Sequence, residues 1–481
     1  MFYYVDGVCG SGKTYIAIQK MAKRVKNGET LIYATETKKL LNQTKEGLES
    51  LGAEVELIVT ERDITSSNKY QPISQKLLSS INNTDAPPRV ILCITKSLIS
   101  IATSVSKINR LPLVIDEGFT VVDTGQSTSL TEGEAQGIAT RLKLDTYKPE
   151  GYSPDSGHKL SDDNKLLQRY MANSLYQVEH RVSEAKFEWV VYLDVVAFLD
   201  CFSSVTLLSA CHEDTLQYIA INKAGCKQKA LDWGLATKHH SKAYLGVYWV
   251  LETNEWRTNS IKGLTDEQWE EIRFAFEGKH FSNDILSVKG LGGKNPMSEI
   301  DGSLPVMSHG FNDASSIHHV LNLHTQMPTP YLGAFLKKQY DMTPEQIRVS
   351  FYQYGCYQAV MRCSLRKSTK ANPSYIENNF CFGDKSTAKY FISKLDSSIE
   401  VNSGKLDLPF DLDTRKERID KVSRSKQEQK NRGADKKKLL ELGLEVEVLD
   451  DARIYLRGWR RENKGKRVTK KLYSEVVEQF T

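Results

Sequence analysis

The chain has 481 residues, 40% of them hydrophobic and 26% charged, and a net charge of +5. Such a length holds two to four domains and more than one core, and the composition is that of an ordinary soluble protein. The longest apolar stretch, Trp189 to Phe202, is cut by Asp194 and Asp200 and is too short to span a bilayer, and Asp6 and Lys13 interrupt the run a signal peptide needs.

The charge is unevenly placed. From Lys405 onward there are 21 Lys and Arg against 15 Asp and Glu, so this tail exceeds the whole-chain +5 and the first 404 residues sum to −1. The eight cysteines are scattered, without a Cys-x-x-Cys pair or histidines at zinc spacing. Reduced core thiols in a soluble, cytoplasmic protein are the expectation.

Phe2-Tyr3-Tyr4-Val5 is β-prone and Tyr15 to Lys26 is helix-prone. Between them lies Gly7-Val8-Cys9-Gly10-Ser11-Gly12-Lys13-Thr14. A strand, a glycine-rich loop and a helix in this order form a phosphate-binding loop, whose backbone N–H groups turn toward a β-phosphate at the helix N-terminus. Gly7, Gly10, Ser11 and Gly12 shape the cradle, Lys13 reaches the β/γ oxygens, and the Thr14 hydroxyl holds Mg²⁺. A nucleoside triphosphate is the expected ligand.

Asn27-Gly28 caps the helix, and Thr30 to Ala34 reads as the next strand. A helix over Lys38 to Leu51, ended by Gly52, leads to a strand over Glu54 to Val59. A helix around Ile73 to Ile81 passes through Pro87-Pro88 into strand Val90 to Ile94. The strand Leu113-Val114-Ile115 then runs into Asp116-Glu117. This alternation predicts a parallel sheet with crossover helices. Asp116 at the strand end is the second Mg²⁺ residue, and Glu117 orients and deprotonates an attacking water.

Residues 126–200 read as an insertion. Thr131-Glu132-Gly133-Glu134 has capping-box form and opens a helix to about Leu144; Pro149 to Asp163 is an exposed loop; Lys165 to Val182 is a longer helix. Val205-Thr206-Leu207-Leu208 returns to the sheet. A second α/β region fills about 215–400, with strands near Ala243–Leu251 and Pro305–Met307. From about residue 411 the chain is charged and helical, without a strong core.

Four further segments carry a resemblance to the superfamily 2 helicases and translocases, strongest in form to those of phages and mobile elements. Thr35-Glu36-Thr37-Lys38-Lys39-Leu40-Leu41-Asn42-Gln43 matches that family's Thr-x-x-x-Leu-x-x-Gln segment. Ile94-Thr95-Lys96-Ser97-Leu98 resembles its neighbouring Thr-bearing segment. The resemblance implies nucleic-acid contacts for Thr35, Gln43 and Thr95. Leu207-Leu208-Ser209-Ala210-Cys211 resembles the Ser-Ala-Thr motif, with Cys211 in place of threonine. Gln358-Ala359-Val360-Met361-Arg362-Cys363-Ser364-Leu365-Arg366 resembles the Gln-x-x-Gly-Arg-x-x-Arg motif.

That last motif implies arginine fingers crossing an interdomain cleft to the γ-phosphate, Arg362 and Arg366, with Gln358 beside the nucleotide. The i, i+4, i+8 spacing of these three predicts one helical face. Ser308 to Asp313 occupies the place of the family's fifth motif, and an ordinary turn is an equal reading there. The chain also departs from the pattern. Asp116-Glu117 is followed by Gly118-Phe119, which fits neither named box subfamily, the finger motif lacks its glycine, and its arginines stand one residue further apart. The family's upstream adenine-reading glutamine has no counterpart before Phe2, leaving base selectivity open.

Between Arg453 and Lys471 there are nine Lys and Arg and one acid, Glu462. Arg453, Arg457, Arg460, Arg461 and Lys464 form a basic stripe at helical spacing, interleaved with Tyr455 and Trp459, which reads as a phosphate-tracking surface. Two RecA-like α/β domains are therefore expected, 1–214 with its insertion and 215–405, followed by a basic helical extension over 406–481. ATP and Mg²⁺ would lie between the domains. The partner would be nucleic acid, DNA ahead of RNA, as a single strand or fork, together with replication or recombination proteins and no membrane. Two other readings stay open. One is a DNA-packaging motor, which needs a trio of acids that 215–410 does not display. The other is an ATP-switched nucleic-acid-binding regulator without unwinding.

Overall fold

In a computed structural model the described residues are 2–59, 72–83, 85–105, 108–128, 138–139, 142, 162–183, 186–253, 256, 264–279, 285–289, 304–305, 315–325, 327–368 and 373–410, then 435, 438–444, 448, 452, 454–456, 459 and 468–480. Met1–Pro409 and Phe410–Thr481 are separate compact units.

The first unit starts with β1 (Phe2–Gly7), helix Lys13–Lys26, β2 (Leu31–Thr35), helix Lys38–Ser50, β3 (Val55–Ile58), helix Ile73–Asn82, β4 (Val90–Ile94), helix Thr95–Ile101 and β5 (Pro112–Asp116). After an insertion containing β6 (Val122–Thr128), β7 (Tyr176–Ser183) and β8 (Lys186–Leu193), the chain returns as β9 (Ser204–Ala210), helix Leu216–Lys223 and β10 (Gln228–Ala230). The first sheet has the order β10-β1-β9-β5-β2-β4-β3 and its ladders are parallel. β2 and β5 are buried along their whole length, as expected for strands covered on both faces. Because β9 lies between β1 and β5, the loops after all three strands open on one crevice at their carboxyl ends, where open α/β sheets bind ligands.

A second parallel sheet, in the order β13-β12-β14-β15-β11-β16, uses β11 (Leu245–Leu251), β12 (Ile285–Lys289), β13 (Leu304–Pro305), β14 (His319–Asn322), β15 (Asn378–Asp384) and β16 (Val401–Lys405). The fold is thus α/β with two RecA-like parallel sheets. β10 shows that the chain still belongs to the first sheet at residues 228–230, before it crosses to the second. Within the second lobe Arg348, 5% exposed, pairs with the fully buried Asp384, whose carboxylate also accepts the Thr387 N–H and caps the helix Lys385–Ile392.

The insertion differs from its expected form. The helix beginning in this region spans Asp162–Met171, and residues 176–182, expected to continue it, belong to β7. β7 and β6 pair antiparallel with β8 on either side. Val178 and Val182 stand opposite Val191 and Phe187, so one face of the hairpin closes over Leu167 and Tyr170. The other face of β8, through Val190, joins a core shared with Phe198 of the first lobe and with Leu332, Phe335 and Leu336 on helix Pro330–Tyr340 of the second. The helix expected from Thr131 lies outside the described residues except at 138, 139 and 142, as does nearly all of the loop expected over Pro149 to Asp163.

The second unit has a small core where no strong one was expected: Leu439, Leu444, Ala452, Leu456 and Val476 are buried together, and the Tyr473 hydroxyl donates to Asp435. These apolar positions are too widely spaced in a charged stretch to announce a core. Arg453, Arg457, Arg460, Arg461 and Lys464 lie outside the described residues, as do Ser308 to Asp313. Among the described residues no helix is long and apolar enough to cross a membrane. All eight cysteines are free, and Cys93, Cys356, Cys363 and Cys381 are buried.

Candidate nucleotide site between two lobes

The loop after β1 takes the shape its glycines permit. Gly10 and Gly12 have φ values of 77° and 89°, in the left-handed region that disfavours a Cβ, and the helix starts at Lys13 directly behind them. The Gly7 N–H donates to Asp6 Oδ1, which also accepts the His212 N–H and so ties the loop to the end of β9. The Lys13 ammonium folds back over the loop and donates to the carbonyls of Gly7 and Val8, both at 2.9 Å. Phosphate oxygens at the helix N-terminus would compete for the same donor.

Asp116 ends β5 and is 1% exposed. One of its oxygens accepts the Thr14 hydroxyl at 2.6 Å and the Tyr33 hydroxyl at 2.7 Å. Burial, and then the neighbouring Glu117 charge, lift its carboxyl to about 6, while the Thr14 and Tyr33 hydrogen bonds and the Lys13 charge pull the other way. A buried carboxylate that resists ionisation, touching a threonine hydroxyl beside a phosphate loop, offers hard oxygen donors on the side where a triphosphate would supply more. That donor set fits Mg²⁺, which keeps water and phosphate ligands and needs few from protein. Glu117 and Cys211, at the ends of β5 and β9, are non-glycine residues at φ 67° and 49°. Such strain, of order 1–3 kcal/mol each, concentrates where function fixes the backbone.

The second lobe completes the cavity, of about 400 Å³, whose lining includes Lys13, Thr14, Asp116, Glu117, Gln358, Arg362 and Arg366. Arg362 Nη2 stands 3.7 Å from Glu117 Oε1, and its side chain is 6% exposed. Arg366 lies against the phosphate loop: a Cβ on Gly10 would fall 2.3 Å from Arg366 Cγ and 2.5 Å from its carbonyl oxygen. Burial first, and then the adjacent Arg362, lower the Arg366 pKa. Two guanidiniums and an ammonium facing one cavity make a site for a polyanion.

The single helical face expected for Gln358, Arg362 and Arg366 is not what brings them together. The helix is Tyr354–Val360, Cys363 is extended, and Arg366 belongs to a separate 3-10 turn, Ser364–Lys367. With a non-standard spacing and no glycine, the chain aims both arginines by breaking the helix. The structure also adds residues that the motifs did not name. Tyr33 buttresses Asp116. Tyr354 accepts from Gln358 Nε2 at 2.7 Å, Tyr357 meets the phosphate loop, and His239 meets Tyr357. The two tyrosines were discernible as a Tyr-x-x-Tyr pair directly before Gln358, whereas nothing in the sequence marks His239.

Thr35, at the end of β2 opposite Asp116, is fully buried, and Thr95, at the start of the next helix, nearly so; neither hydroxyl finds a hydrogen-bond partner among the described residues. Gln43 is half-exposed on helix Lys38–Ser50. Lys96, next to Thr95, donates to the Tyr170 hydroxyl, which donates to Asp123, so this segment is fastened to the insertion.

Residues 3–140 match the DEAD/DEAH box helicase family model. The resemblance to superfamily 2 helicases is thereby borne out over that stretch, although Asp116-Glu117 is followed here by Gly118-Phe119. No curated protein matches the chain. Similar solved structures include Xpd4 of S. tokodaii, 11% identical over 84% of this chain and 96% of that one, with a TM-score of 0.44. Dbp5 of S. cerevisiae bound to RNA and ADP BeF3 is 13% identical over 84% and 86%, with a TM-score of 0.34. The arterivirus nonstructural protein 10 helicase with DNA is 10% identical over 81% and 63%, with a TM-score of 0.27.

Proposed function

We propose that this chain is a nucleic-acid-dependent ATPase that works as a translocase or helicase, acting on DNA ahead of RNA, in replication, recombination or repair. One observation carries the reading: Arg362 and Arg366 come from the second lobe, yet face the same cavity as the phosphate loop and Asp116-Glu117 of the first. A site split between two lobes lets hydrolysis drive their relative motion. The helicase-family match over residues 3–140 supports the reading independently of that geometry.

In this reading the loop amides and Lys13 bind the β- and γ-phosphates, and Thr14 with Asp116 would hold Mg²⁺, which would supply positive charge against the phosphates. Glu117 takes a proton from a water aligned with the γ-phosphorus. That water forms the new P–O bond as the bond to the β-phosphate oxygen breaks, leaving ADP and phosphate. Arg362 and Arg366 spread their positive charge over the phosphoryl oxygens in transit. Arg362 stands beside the base itself, its Nη2 3.7 Å from Glu117 Oε1, so both groups converge on one γ-phosphate.

The basic stripe of the last 77 residues, 405–481, is the proposed backbone-tracking surface. The test is steady-state hydrolysis by the full chain with no nucleic acid, single-stranded DNA, duplex DNA and RNA, with Lys13→Ala as control. Stimulation by a nucleic acid, lost in the variant, supports the motor. Unstimulated hydrolysis would favour an ATP-switched regulator, and a forked-duplex unwinding assay separates helicase from translocase.

A further inference from the structure

The stretch between the lobes passes directly behind the phosphate loop. Leu231 N–H donates to Tyr4 O and Val8 N–H donates to Ala236 O, which pins residues 231–236 to the first lobe. From His239 the same stretch belongs to the second lobe: its N–H donates to Lys394 O, and its carbonyl accepts the Asp396 N–H. The change of allegiance takes place between Ala236 and His239, and this short interval is the hinge. Tyr357, on helix Tyr354–Val360 of the second lobe, places its hydroxyl between hinge and loop. The hydroxyl accepts the Cys9 N–H at 3.0 Å and lies 2.8 Å from His239 Nε2. Tyr357 is fully buried and His239 is 2% exposed, so water does not substitute for either bond.

We propose that Tyr357 and His239 are a positioning pair that couples the phosphate loop to the hinge, through Cys9 N–H donating to Tyr357 Oη and Tyr357 O–H donating to His239 Nε2, and that it governs hydrolysis more than nucleotide binding. The proposal rests on the ATPase reading above. Burial, with the Lys13 and His240 charges, holds His239 down to about 3, so it is neutral, and with its proton on Nδ1 its Nε2 accepts. A phenol has one proton to give; with that proton on His239, its oxygen faces Cys9. Rotation about 236–239 therefore moves an acceptor that holds the Cys9 amide, and Cys9 itself lines the nucleotide cavity. Neither residue lines the nucleotide cavity. Their effect is on where the loop stands when Arg362 and Arg366 close over it.

The test uses the full chain with Tyr357→Phe, His239→Leu, His239→Gln and the Tyr357→Phe/His239→Leu double variant, measuring kcat and KM for ATP at saturating nucleic acid together with the melting temperature. Tyr357→Phe and His239→Leu should each lower kcat by about tenfold, the rate equivalent of one positioning hydrogen bond, with KM within about twofold. The double variant should be no worse than either single one, because both break the same chain. His239→Gln, whose side chain keeps an acceptor, should recover most of the rate. Multiplying losses in the double variant, a raised KM at unchanged kcat, or a rate loss explained by a smaller folded fraction would overturn the pair. Wild-type hydrolysis by Lys13→Ala would overturn the ATPase reading, and the pair with it; a dead Lys13→Ala beside an unaffected Tyr357→Phe would reject the pair alone.

Discussion

Gly10→Ala tests the contact between the lobes without replacing a charged residue. At φ 77° an alanine is strained by about 1–2 kcal/mol. Its Cβ would also meet Arg366 Cγ at 2.3 Å and the Arg366 carbonyl oxygen at 2.5 Å. The side-chain contact can be relieved by a rotamer change, but the carbonyl contact cannot. An ordinary carbon–oxygen approach needs roughly 1 Å more, so the loop or the second lobe must retreat by that amount. A displacement of about 1 Å at a catalytic group costs on the order of 10² in rate. Arg366→Ala, which removes the guanidinium itself, should cost about 10³ while sparing nucleotide binding. Single-turnover hydrolysis paired with titration of a fluorescent ATP analogue separates chemistry from binding. The carbonyl contact and the backbone strain remain when the Arg366 side chain is removed, so the double variant should lose more than Arg366→Ala alone. A Gly10→Ala protein hydrolysing at the wild-type rate would refute the argument.

Lys13→Ala and Glu117→Gln should both abolish turnover, and Glu117→Gln should still bind nucleotide; unaffected hydrolysis in either removes the site assignment. His239 makes stability depend on pH. Its imidazole is held at about 3 against 6.5 in the unfolded chain, so unfolding takes up one more proton between those values. Stability should thus fall as pH drops through this window, by up to about 1.4 kcal/mol per unit, and His239→Gln should flatten the slope in urea melts at pH 4 to 7. Deleting residues 411–481 should weaken nucleic-acid affinity and shallow its dependence on salt concentration; an unchanged salt slope would reject the phosphate-tracking role of the tail.

What the sequence made legible was local. The phosphate loop and the Asp116-Glu117 strand end need only adjacent residues in a fixed strand–loop–helix setting, and β2, β4 and β5 lie within a residue or two of their expected places. The insertion was harder. Tyr170 and Leu167 carry a helical pattern that hides the alternation of Val178, His180 and Val182 just beyond Asn173, and the strand becomes evident only when Trp189 and Val191 are seen opposite. The arginines were legible as types but not as geometry, because the break after Val360 depends on the second lobe packing around it. His239 could not be read at all. Its meaning comes from Tyr357, 118 residues away, and from a hinge that exists only in three dimensions.

The central claim is that one triphosphate site is assembled from both lobes of the chain. Comparing ATP hydrolysis by the wild-type, Lys13→Ala and Arg362→Ala/Arg366→Ala proteins, each with and without single-stranded DNA, tests it most directly. The account predicts hydrolysis stimulated by the strand in the wild type, no hydrolysis without Lys13, and hydrolysis reduced by about 10³ or more without the two arginines at preserved nucleotide affinity. Undiminished hydrolysis in the double-arginine variant would contradict it.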